Sequence, residues 1–308
     1  MYYLGIDTSN YTTSAAVVNQ QGQLIWEQRR ILQVPQGEHG LRQSQALFQH
    51  VKAFPEIFQL PASMTNKLVG VAVSTRPRDV EGSYMPVFVA GNSFARVIAA
   101  SLDLPLLECS HQQNHLAAGF WSADWWPQGK VLAVHLSGGT SEVLEVEWDE
   151  PPQVKVLGEA RDLNAGQFID RLGVALGLDF PAGPQLEALA KNARGDLRLP
   201  SAVEGMDMSF SGPLTAALNL VDQVEAAELA RAAENCVAKA VEKALLRAKE
   251  VRGCNEVLVI KGVSCNQRIR KRLQQRLEHK AVGMTLHFAA PEASRDSAIG
   301  CAVLAWRK

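Results

Sequence analysis

Two segments about 130 residues apart share one pattern, in which a strand is followed by a short polar turn and a second strand. The first segment runs from Tyr2 to Val18 and turns at Asp7 to Thr13. The second runs from Val131 to Val146 and turns at Ser137 to Ser141. A structural unit that recurs along a chain indicates a duplicated fold. The chain has 308 residues, about twice the usual size of one domain, so each copy has enough residues for its own core.

Helical and strand patterns alternate after each hairpin, which predicts α/β layers in both halves. Helices are expected around Leu41 to Phe54 and Val87 to Ser101, and the alanine-rich segment Ala226 to Val251 has strong helix propensity. A tract with proline and glycine, Trp121 to Lys130, marks the expected boundary between the halves. We therefore predict an N-terminal lobe over residues 1–126, a C-terminal lobe over residues 127–293, and a helical segment over residues 294–308 that returns to the first lobe.

Shorter elements are expected within the second half and at the end of the chain. They are helices at about Gly166 to Leu176, Gln185 to Lys191 and Cys265 to Glu278, a loop at Met208 to Gly212, and a last helix from about Ser294 to Trp306.

The composition excludes several classes of protein. Hydrophobic residues make up 47% of the chain and charged residues 20%, which is typical of globular proteins. Apolar runs fall far short of the roughly 20 residues of a membrane span, and the first residues lack a signal-peptide pattern. We therefore expect no membrane association and a cytoplasmic location. The five cysteines include no C-x-x-C pair, which argues against a disulfide framework or a cysteine zinc site.

The charge balance gives little sign of autonomous nucleic-acid binding. The formal net charge is −1, whereas proteins that grip nucleic acid alone usually carry a basic surface. The densest basic stretch, Arg268 to Arg276, has helical spacing. It fits either a solvated helix face or a contact with phosphate or RNA.

The turns of the two hairpins are candidate phosphate sites. Small side chains let backbone N–H groups approach phosphate oxygens, and such turns form anion-binding nests. Asp7 and the segment Ser137 to Gly139 are the first candidates, although a Gly-Gly turn can also be only a turn. In a later strand-turn-helix, Gly262 lies where a backbone can pass near a ligand, and Asn266 is either a ligand contact or an ordinary N-cap. A Walker A motif is absent, so this is not a P-loop protein.

His111 and His115 are spaced i and i+4, which places both imidazoles on one face of a helix, within reach of one ion. The pair lacks the glutamate of the H-E-x-x-H zinc peptidases. A structural or surface pair would have the same spacing. A third ligand would have to come from elsewhere, and Asp296 beside the last helix is the candidate.

Taken together, the motifs resemble those of the TsaD/Gcp family, also known as the M22 glycoproteases, whose bacterial members transfer a threonylcarbamoyl group to adenosine 37 of tRNA. The resemblance spans nearly the whole chain. The motifs that carry it are Leu4 to Ser9, His111-x-x-x-His115, Leu136 to Gly139, Gly158-Glu159, Ala165 to Asp170, Gly177 to Pro184, Met208 to Gly212, Gly262 to Asn266 and Arg295 to Gly300.

The resemblance implies a fold and an activity. The fold is a duplicated, two-lobed α/β architecture of the actin/hexokinase-like (ASKHA) type with a nucleotide cleft between the lobes. The activity is metal-dependent transfer of threonylcarbamoyl from an adenylate to N6 of adenosine 37 in tRNA. The implied metal is a divalent ion, iron or zinc, held by His111, His115 and Asp296.

The resemblance also implies residues that bind ATP, AMP or threonylcarbamoyl-adenylate. Phosphate or carbamoyl oxygens would meet the hydroxyl and backbone groups of Leu136, Ser137, Gly138 and Gly139. Asp170 and Gly183 would hold the ribose, while Gly262 and Asn266 would face the adenine side. The candidate catalytic residues are Asp7, Ser9 and Ser137.

Three segments depart from the family pattern. The first motif, Ser-Cys-Asp-Glu-Thr in the family, continues after Ser9 as Asn10 to Thr13 and so lacks two acidic residues. The family histidine after Gly139 is absent, and the segment Pro-Gly-Pro-Gly is replaced within Thr75 to Val80. A divergent paralogue could therefore transfer a carbamoyl-type group to another acceptor or act as a non-enzymatic regulatory subunit. The absence of the H-E-x-x-H glutamate between His111 and His115 argues against the metallopeptidase hypothesis.

The resemblance implies partners as well. Because phosphate contacts supply most non-specific affinity for RNA, a chain with net charge near zero is expected to need help in binding a tRNA acceptor. Family members obtain help from partner proteins, so we expect a protein partner, such as a smaller paralogue, or a homodimer through the first lobe.

Overall fold

The computed structural model describes residues 1–9, 11–35 and 40–308. The elements of its first part are β1 (Tyr2–Ser9), β2 (Thr12–Asn19), β3 (Leu24–Ile31), α1 (Gln43–Ile57), α2 (Ala62–Thr65), β4 (Leu68–Arg76), α3 (Phe88–Ser101), β5 (Leu106–Ser110) and α4 (His111–Ser122).

The remaining elements begin at the second hairpin. They are β6 (Lys130–Leu136), β7 (Ser141–Glu147), β8 (Gln153–Glu159), α5 (Ala165–Ala175), α6 (Gly183–Ala190), β9 (Ala202–Glu204), β10 (Asp207–Ser209), α7 (Ser211–Leu218), α8 (Ala226–Arg252), β11 (Glu256–Ile260), α9 (Gln267–Leu277), β12 (Thr285–Phe288) and α10 (Ile299–Arg307). Short 3-10 helices lie at Gly262–Cys265 and Pro291–Ser294.

The chain divides into two compact units. Unit 1 comprises Met1–Trp126, Trp148–Gln153 and Glu292–Lys308, and unit 2 comprises Pro127–Glu147 and Val154–Pro291. The end of the chain, including α10, therefore packs with the first unit. Because each unit combines a sheet with helices, the predicted two-lobed α/β architecture is confirmed.

The two main sheets repeat one topology, as expected of a duplicated fold. Unit 1 has the strand order β3-β2-β1-β4-β5, and unit 2 has the corresponding order β8-β7-β6-β11-β12. In each sheet the first two strands are antiparallel, and the later strands pair in parallel. Parallel strands end at the same edge of a sheet, so the last residues of β1, β4 and β5 lie close together.

The sheet of unit 1 buries both of its faces. Successive side chains of a strand point to opposite faces, and β2 accordingly divides its apolar residues between two cores. Ala15 and Val17 belong to the cluster that includes α3, whereas Ala16 and Val18 belong to the cluster that includes α4 and α10. β1 approaches α10 so closely that a methyl group on Gly5 would collide with the backbone of Ala298 and Ala302.

Unit 2 is built around α8, a helix of 27 residues. Its alanine-rich buried face allows sheet and helices to pack close to its axis, and buried residues of β6, β11, α5 and α9 join it in one core. The helix ends at Arg252, and the next residue, Gly253, has a φ of 71°, the left-handed conformation that glycine adopts without strain.

The structure corrects several expectations about local elements. Strands β3 and β8 are additional to the predicted hairpins, and their partly exposed, charged sequences weaken the apolar alternation that identifies a strand. The predicted loop Met208 to Gly212 is instead the end of β10 and the start of α7. The predicted last helix is divided into the 3-10 turn Pro291–Ser294 and α10, with Asp296 between them. Every helix formed by residues 1–9, 11–35 and 40–308 is too short or too polar to span a lipid bilayer.

Candidate functional site

The residues predicted to hold a metal converge in unit 1. Helix α4 begins at His111 because Ser110 caps it: the Ser110 hydroxyl accepts a hydrogen bond from the Gln113 amide at 3.1 Å. One turn later, His115 lies beside His111, with ring centroids 3.9 Å apart. Asp296 Oδ1 lies 3.2 Å from His115 Nε2 and 3.9 Å from His111 Nε2. One donor atom from each of the three residues lies within 4.8 Å of the others.

Asn114 connects the two segments that carry these donors. It lies between the histidines on α4 and is fully buried. Its Nδ2 donates to the Ser297 carbonyl at 2.8 Å, and its Oδ1 accepts from the Cys301 amide at 2.8 Å. These two bonds bracket the start of α10, so they fix the position of Asp296 relative to the histidines. The sequence analysis missed Asn114, whose only signal was a polar residue between two candidate ligands.

Asp7 orients the imidazole ring of His111 through a contact at Nδ1. It is fully buried at the end of β1, and its Oδ1 lies 3.0 Å from His111 Nδ1. The same carboxylate accepts hydrogen bonds from Ser9, at 2.6 Å, and from Ser74. A carboxylate at Nδ1 favours the tautomer that carries the proton there, which leaves Nε2 as the metal-binding atom. The donor set and this supporting carboxylate therefore fit a divalent ion of the zinc or iron type.

Replacing Asp7 with asparagine is expected to lower the affinity for Zn²⁺ by about 10- to 100-fold, the usual cost of losing a partner that orients a ligand. Titration calorimetry with the metal-stripped protein measures this change. The exposed Asp149, whose side chain accepts a hydrogen bond from the next backbone amide, supplies the control Asp149→Asn. Equal affinities for Asp7→Asn and wild type would show that Asp7 does not orient His111.

Two segments that depart from the family pattern form hydrogen bonds and an ion pair with other residues of unit 1. Thr13 is fully buried, and its hydroxyl lies 2.8 Å from Nδ1 of the buried His50. In the replaced glycine-rich segment, Arg76 pairs with Asp79 at 2.5 Å, and Asp79 accepts from Gln113 Nε2 at 3.1 Å. Thr13 is thus engaged inside the core. Asn10 lies outside the described residues.

In unit 2, the turn after β6 lies against the start of α5. Ser137 holds the turn, because its hydroxyl oxygen accepts from the Gly139 amide at 3.2 Å and from the Thr140 amide at 3.0 Å. Gly166 donates to the Ser137 carbonyl at 3.1 Å, and a methyl group on Gly166 would lie 2.6 Å from the Gly138 nitrogen. A methyl group added at Gly138 or Gly139 would meet no other atom within 4 Å. Leu136 is buried and anchors the turn to the sheet.

Asp170 and Gly183, to which the family resemblance assigns a shared role, lie next to each other in unit 2. Asp170 Oδ1 accepts a hydrogen bond from the Ala182 amide at 2.8 Å, immediately before α6 begins at Gly183. Burial raises the pKa of Asp170, while hydrogen bonds from the Ala182 and Gly183 amides oppose that rise. The carboxyl is half-buried and fixes the start of α6.

Asn266 is the N-cap of α9. Its Oδ1 accepts from the Ile269 amide at 2.9 Å, and its Nδ2 donates to Glu234 Oε1 at 2.6 Å. Gly262 begins the 3-10 turn that leads to Asn266, and the space beside its Cα is open within 4 Å. Glu234 lies on α8 and is 1% exposed. The sequence analysis missed Glu234 because nothing local distinguishes it from the other charged residues of α8.

Glu234 is expected to make stability depend on pH. Burial and the nearby Glu187 raise the pKa of Glu234 to about 7, against the opposing effects of Asn266, Arg268 and Arg231. The stability that its protonated form contributes is complete below the unfolded value of 4.5 and is lost as pH rises through about 7. Glu234→Gln should therefore raise the free energy of unfolding by about 2 kcal/mol at pH 8.

Urea unfolding at pH 8 and pH 5 measures this effect, because the advantage of Glu234→Gln should shrink at the lower pH. A variant advantage that is the same at both pH values would show that Glu234 does not titrate in this range.

The motif Met208 to Gly212 is organised by Asp162. The Asp162 carboxylate accepts from the hydroxyls of Ser209 and Ser211 and from the Phe210 amide, the last at 2.9 Å. Burial raises the pKa of Asp162, but these hydrogen bonds outweigh it and hold the value at about 2. The motif thus joins β10 to α7 in a fixed geometry.

The basic stretch in α9 is largely bonded to protein. Arg270 donates to the carbonyls of Ser264 and Ala289, each at 2.7 Å, and Arg276 donates to Glu242 of α8 at 2.8 Å. Arg272 also lies 3.5 Å from Glu242. These contacts favour the helix-face interpretation of the stretch over a binding surface for RNA.

Comparisons with known proteins agree with the fold and the motifs. The chain resembles a ROK family glucokinase from Streptomyces griseus (TM-score 0.56, 12% identity, 100% of both chains) and HypF of T. kodakarensis (TM-score 0.63, 16% identity, 99% of this chain and 47% of that chain). These similarities confirm the predicted actin/hexokinase-like fold.

Similarity in sequence identifies the family. Residues 50–300 match the family model described as tRNA N6-adenosine threonylcarbamoyltransferase. A protein of that name from Thermus thermophilus is 30% identical over 318 residues, which cover 100% of this chain and 93% of the relative. The chain therefore belongs to the tRNA N6-adenosine threonylcarbamoyltransferase family, and the resemblance seen in its motifs is confirmed. Membership of this family makes it an enzyme.

Proposed function

We propose that this protein transfers the threonylcarbamoyl group of an adenylate to N6 of adenosine 37 in tRNA. Family membership supports the reaction, and the observation that carries the proposal is the set of three donors with an oriented histidine in unit 1. His111, His115 and Asp296 offer their atoms to one point, and Asp7 fixes the tautomer of His111. A site with this supporting carboxylate is more than a chance surface pair.

Unit 2 supplies the proposed nucleotide contacts. The turn Ser137 to Gly139 lies against the N-terminus of α5, where backbone N–H groups and the helix dipole favour an anion. The absence of side chains at Gly138 and Gly139 lets phosphate oxygens come near the backbone. Asp170, beside Gly183, would accept from ribose hydroxyls, and Asn266 would face the base.

The residues of unit 1 have distinct proposed roles. A divalent metal bound by His111, His115 and Asp296 would act as a Lewis acid toward the carbonyl oxygens of the donor. Asp7 is fully buried, so it positions His111 rather than contacting the substrate, and Ser9 and Ser74 hold the Asp7 carboxylate in place. The N6 amine of the acceptor would attack the carbamoyl carbon, AMP would leave, and the amine would lose one proton.

A reconstituted modification assay tests this proposal. The metal-loaded protein replaces the usual transferase in a mixture that generates threonylcarbamoyl-adenylate, and N6-threonylcarbamoyladenosine in tRNA is scored by mass spectrometry. We expect product with wild type and background levels with His111→Ala or Asp296→Ala. ATP and metal binding without product would overturn the proposal.

That negative result would favour carbamoyl-type transfer to another acceptor, or a regulatory role. The contact between Thr13 and His50 supports these alternatives. Because the Thr13 hydroxyl is bonded inside the core, it does not replace the acidic residues that are absent after Ser9. Release of AMP from the adenylate without tRNA would identify the former alternative.

We also propose that unit 1 docks on a smaller related protein partner, as the family resemblance implies. Helices α1 and α3 pack side by side and expose Phe48, Val51, Val89 and Val97, with Phe48 63% and Val97 65% exposed. Exposed apolar groups of this kind mark protein interfaces. Light scattering of the purified chain should give the mass of one chain, whereas a concentration-independent dimer would point to a second copy as the partner.

A further inference from the structure

The side chain of Asn266 is fixed by two hydrogen bonds, one in which it accepts and one in which it donates. Its oxygen accepts from the Ile269 amide, and its nitrogen donates to Glu234 Oε1. A flipped amide would place the Asn266 oxygen against the Glu234 carboxylate and its N–H group against the Ile269 N–H. The two bonds therefore select one orientation of the amide.

The fixed amide still has one donor and one acceptor to offer. The second hydrogen on Nδ2 and the second lone pair on Oδ1 are unused by these bonds. Asn266 is 9% exposed, whereas Glu234 behind it is 1% exposed. A ligand would therefore meet the asparagine, and the glutamate could act on that ligand only through the asparagine.

Glu234 is difficult to explain as a core residue. Its Oε2 atom is buried and, among the described residues, makes no hydrogen bond. The groups that face it are Arg268, whose Nε is 3.9 Å away, Arg231 on its own helix, and Glu187 of α6, which repels it. A buried carboxyl with this incomplete pairing is less favourable than an apolar side chain of similar size. Its bond to Asn266 is its closest polar contact.

We propose that Glu234 is a positioning residue that holds the Asn266 amide in the orientation needed to recognise the adenine of a bound nucleotide. The inference rests on the proposed function, in which Asn266 faces the base. An asparagine amide can pair with the N6 donor and N7 acceptor of adenine, whereas a 6-oxo purine presents two acceptors at the same edge. A fixed amide is thus held ready for adenine, whereas an amide free to turn must be ordered when the base binds and loses part of its preference over hypoxanthine.

Titration calorimetry with ATP and inosine triphosphate tests the proposal in the 308-residue chain. Wild type is expected to prefer ATP by at least about tenfold, the usual discrimination of a bidentate amide contact. Glu234→Ala should lower that preference by about threefold, through weaker ATP binding, because the amide must then be ordered when the base binds. Glu234→Gln should keep the preference, because its carbonyl oxygen can still accept from Asn266 Nδ2.

Glu242→Ala is the matched control, since Glu242 is another buried glutamate of α8 that bonds to α9, through Arg276. It should leave the ratio of the two dissociation constants unchanged. A wild-type ratio in Glu234→Ala, or an equal loss in Glu242→Ala, would overturn the positioning role while leaving nucleotide binding intact. If wild type binds neither nucleotide, the proposed function itself fails at unit 2, and this inference fails with it.

Discussion

A His115→Gln variant is expected to lose tight metal binding and tRNA modification together. The substitution keeps a side chain of similar size in a position that is 5% exposed, so the surrounding packing is largely preserved. It removes one of three ligands, and we expect Zn²⁺ affinity to fall by at least about 100-fold, more than the loss of an outer partner costs. Metal content after dialysis and product yield in the reconstituted assay measure the two effects.

The exposed His279 supplies the control, because His279→Gln changes the same residue type away from the proposed site. It should keep wild-type metal content and activity. If His115→Gln retains its metal but loses activity, His115 acts on the substrate and is not a ligand. Retention of both properties would exclude a role of His115 in metal binding and in the reaction.

The duplicated architecture could be predicted because its signals are local. Each half begins with a hairpin whose apolar residues alternate, and its turn is marked by hydroxyl or glycine residues. The third strands, β3 and β8, were missed because they are edge strands of their sheets and expose many side chains. Such strands owe their pairing to the neighbouring strand more than to their own pattern.

The candidate site was predictable to the extent that its residues belong to short sequence motifs. His111 and His115 follow from helical spacing. Asp296 lies 181 residues beyond His115 in the chain, so its place beside the last helix made it only a candidate, and the family resemblance implied its role as a ligand. Asn114 and Glu234 were not predicted, because each depends on a hydrogen-bond partner that is distant in sequence. The partner of Asn114 is Ser297, and that of Glu234 is Asn266. A buried polar residue on a helix gives no local sign of the group it meets.

Gly300→Ala is expected to destabilise the protein although it replaces a glycine inside a helix. Helix propensity alone would make alanine more favourable there by about 1 kcal/mol. A methyl group at this position, however, would overlap the carbonyl of Asn114, because α10 crosses α4 at Gly300. Forcing the helices apart should cost about 3 kcal/mol net, in the range of overpacked cores. Urea unfolding followed by circular dichroism measures the change.

The same displacement should also weaken metal binding, because Asn114 holds the two donor segments together through Ser297 and Cys301. We expect Zn²⁺ affinity to fall in Gly300→Ala even under conditions in which the variant is fully folded. The control is Gly212→Ala in α7, where the space for a methyl group is open within 4 Å. This variant should retain wild-type affinity and should be at least as stable as wild type. If Gly300→Ala were instead stabilised like an ordinary helical glycine replacement, α10 and α4 would have to be separated more widely than the structure describes. If only stability fell, Asn114 would support the fold without setting the geometry of the metal ligands.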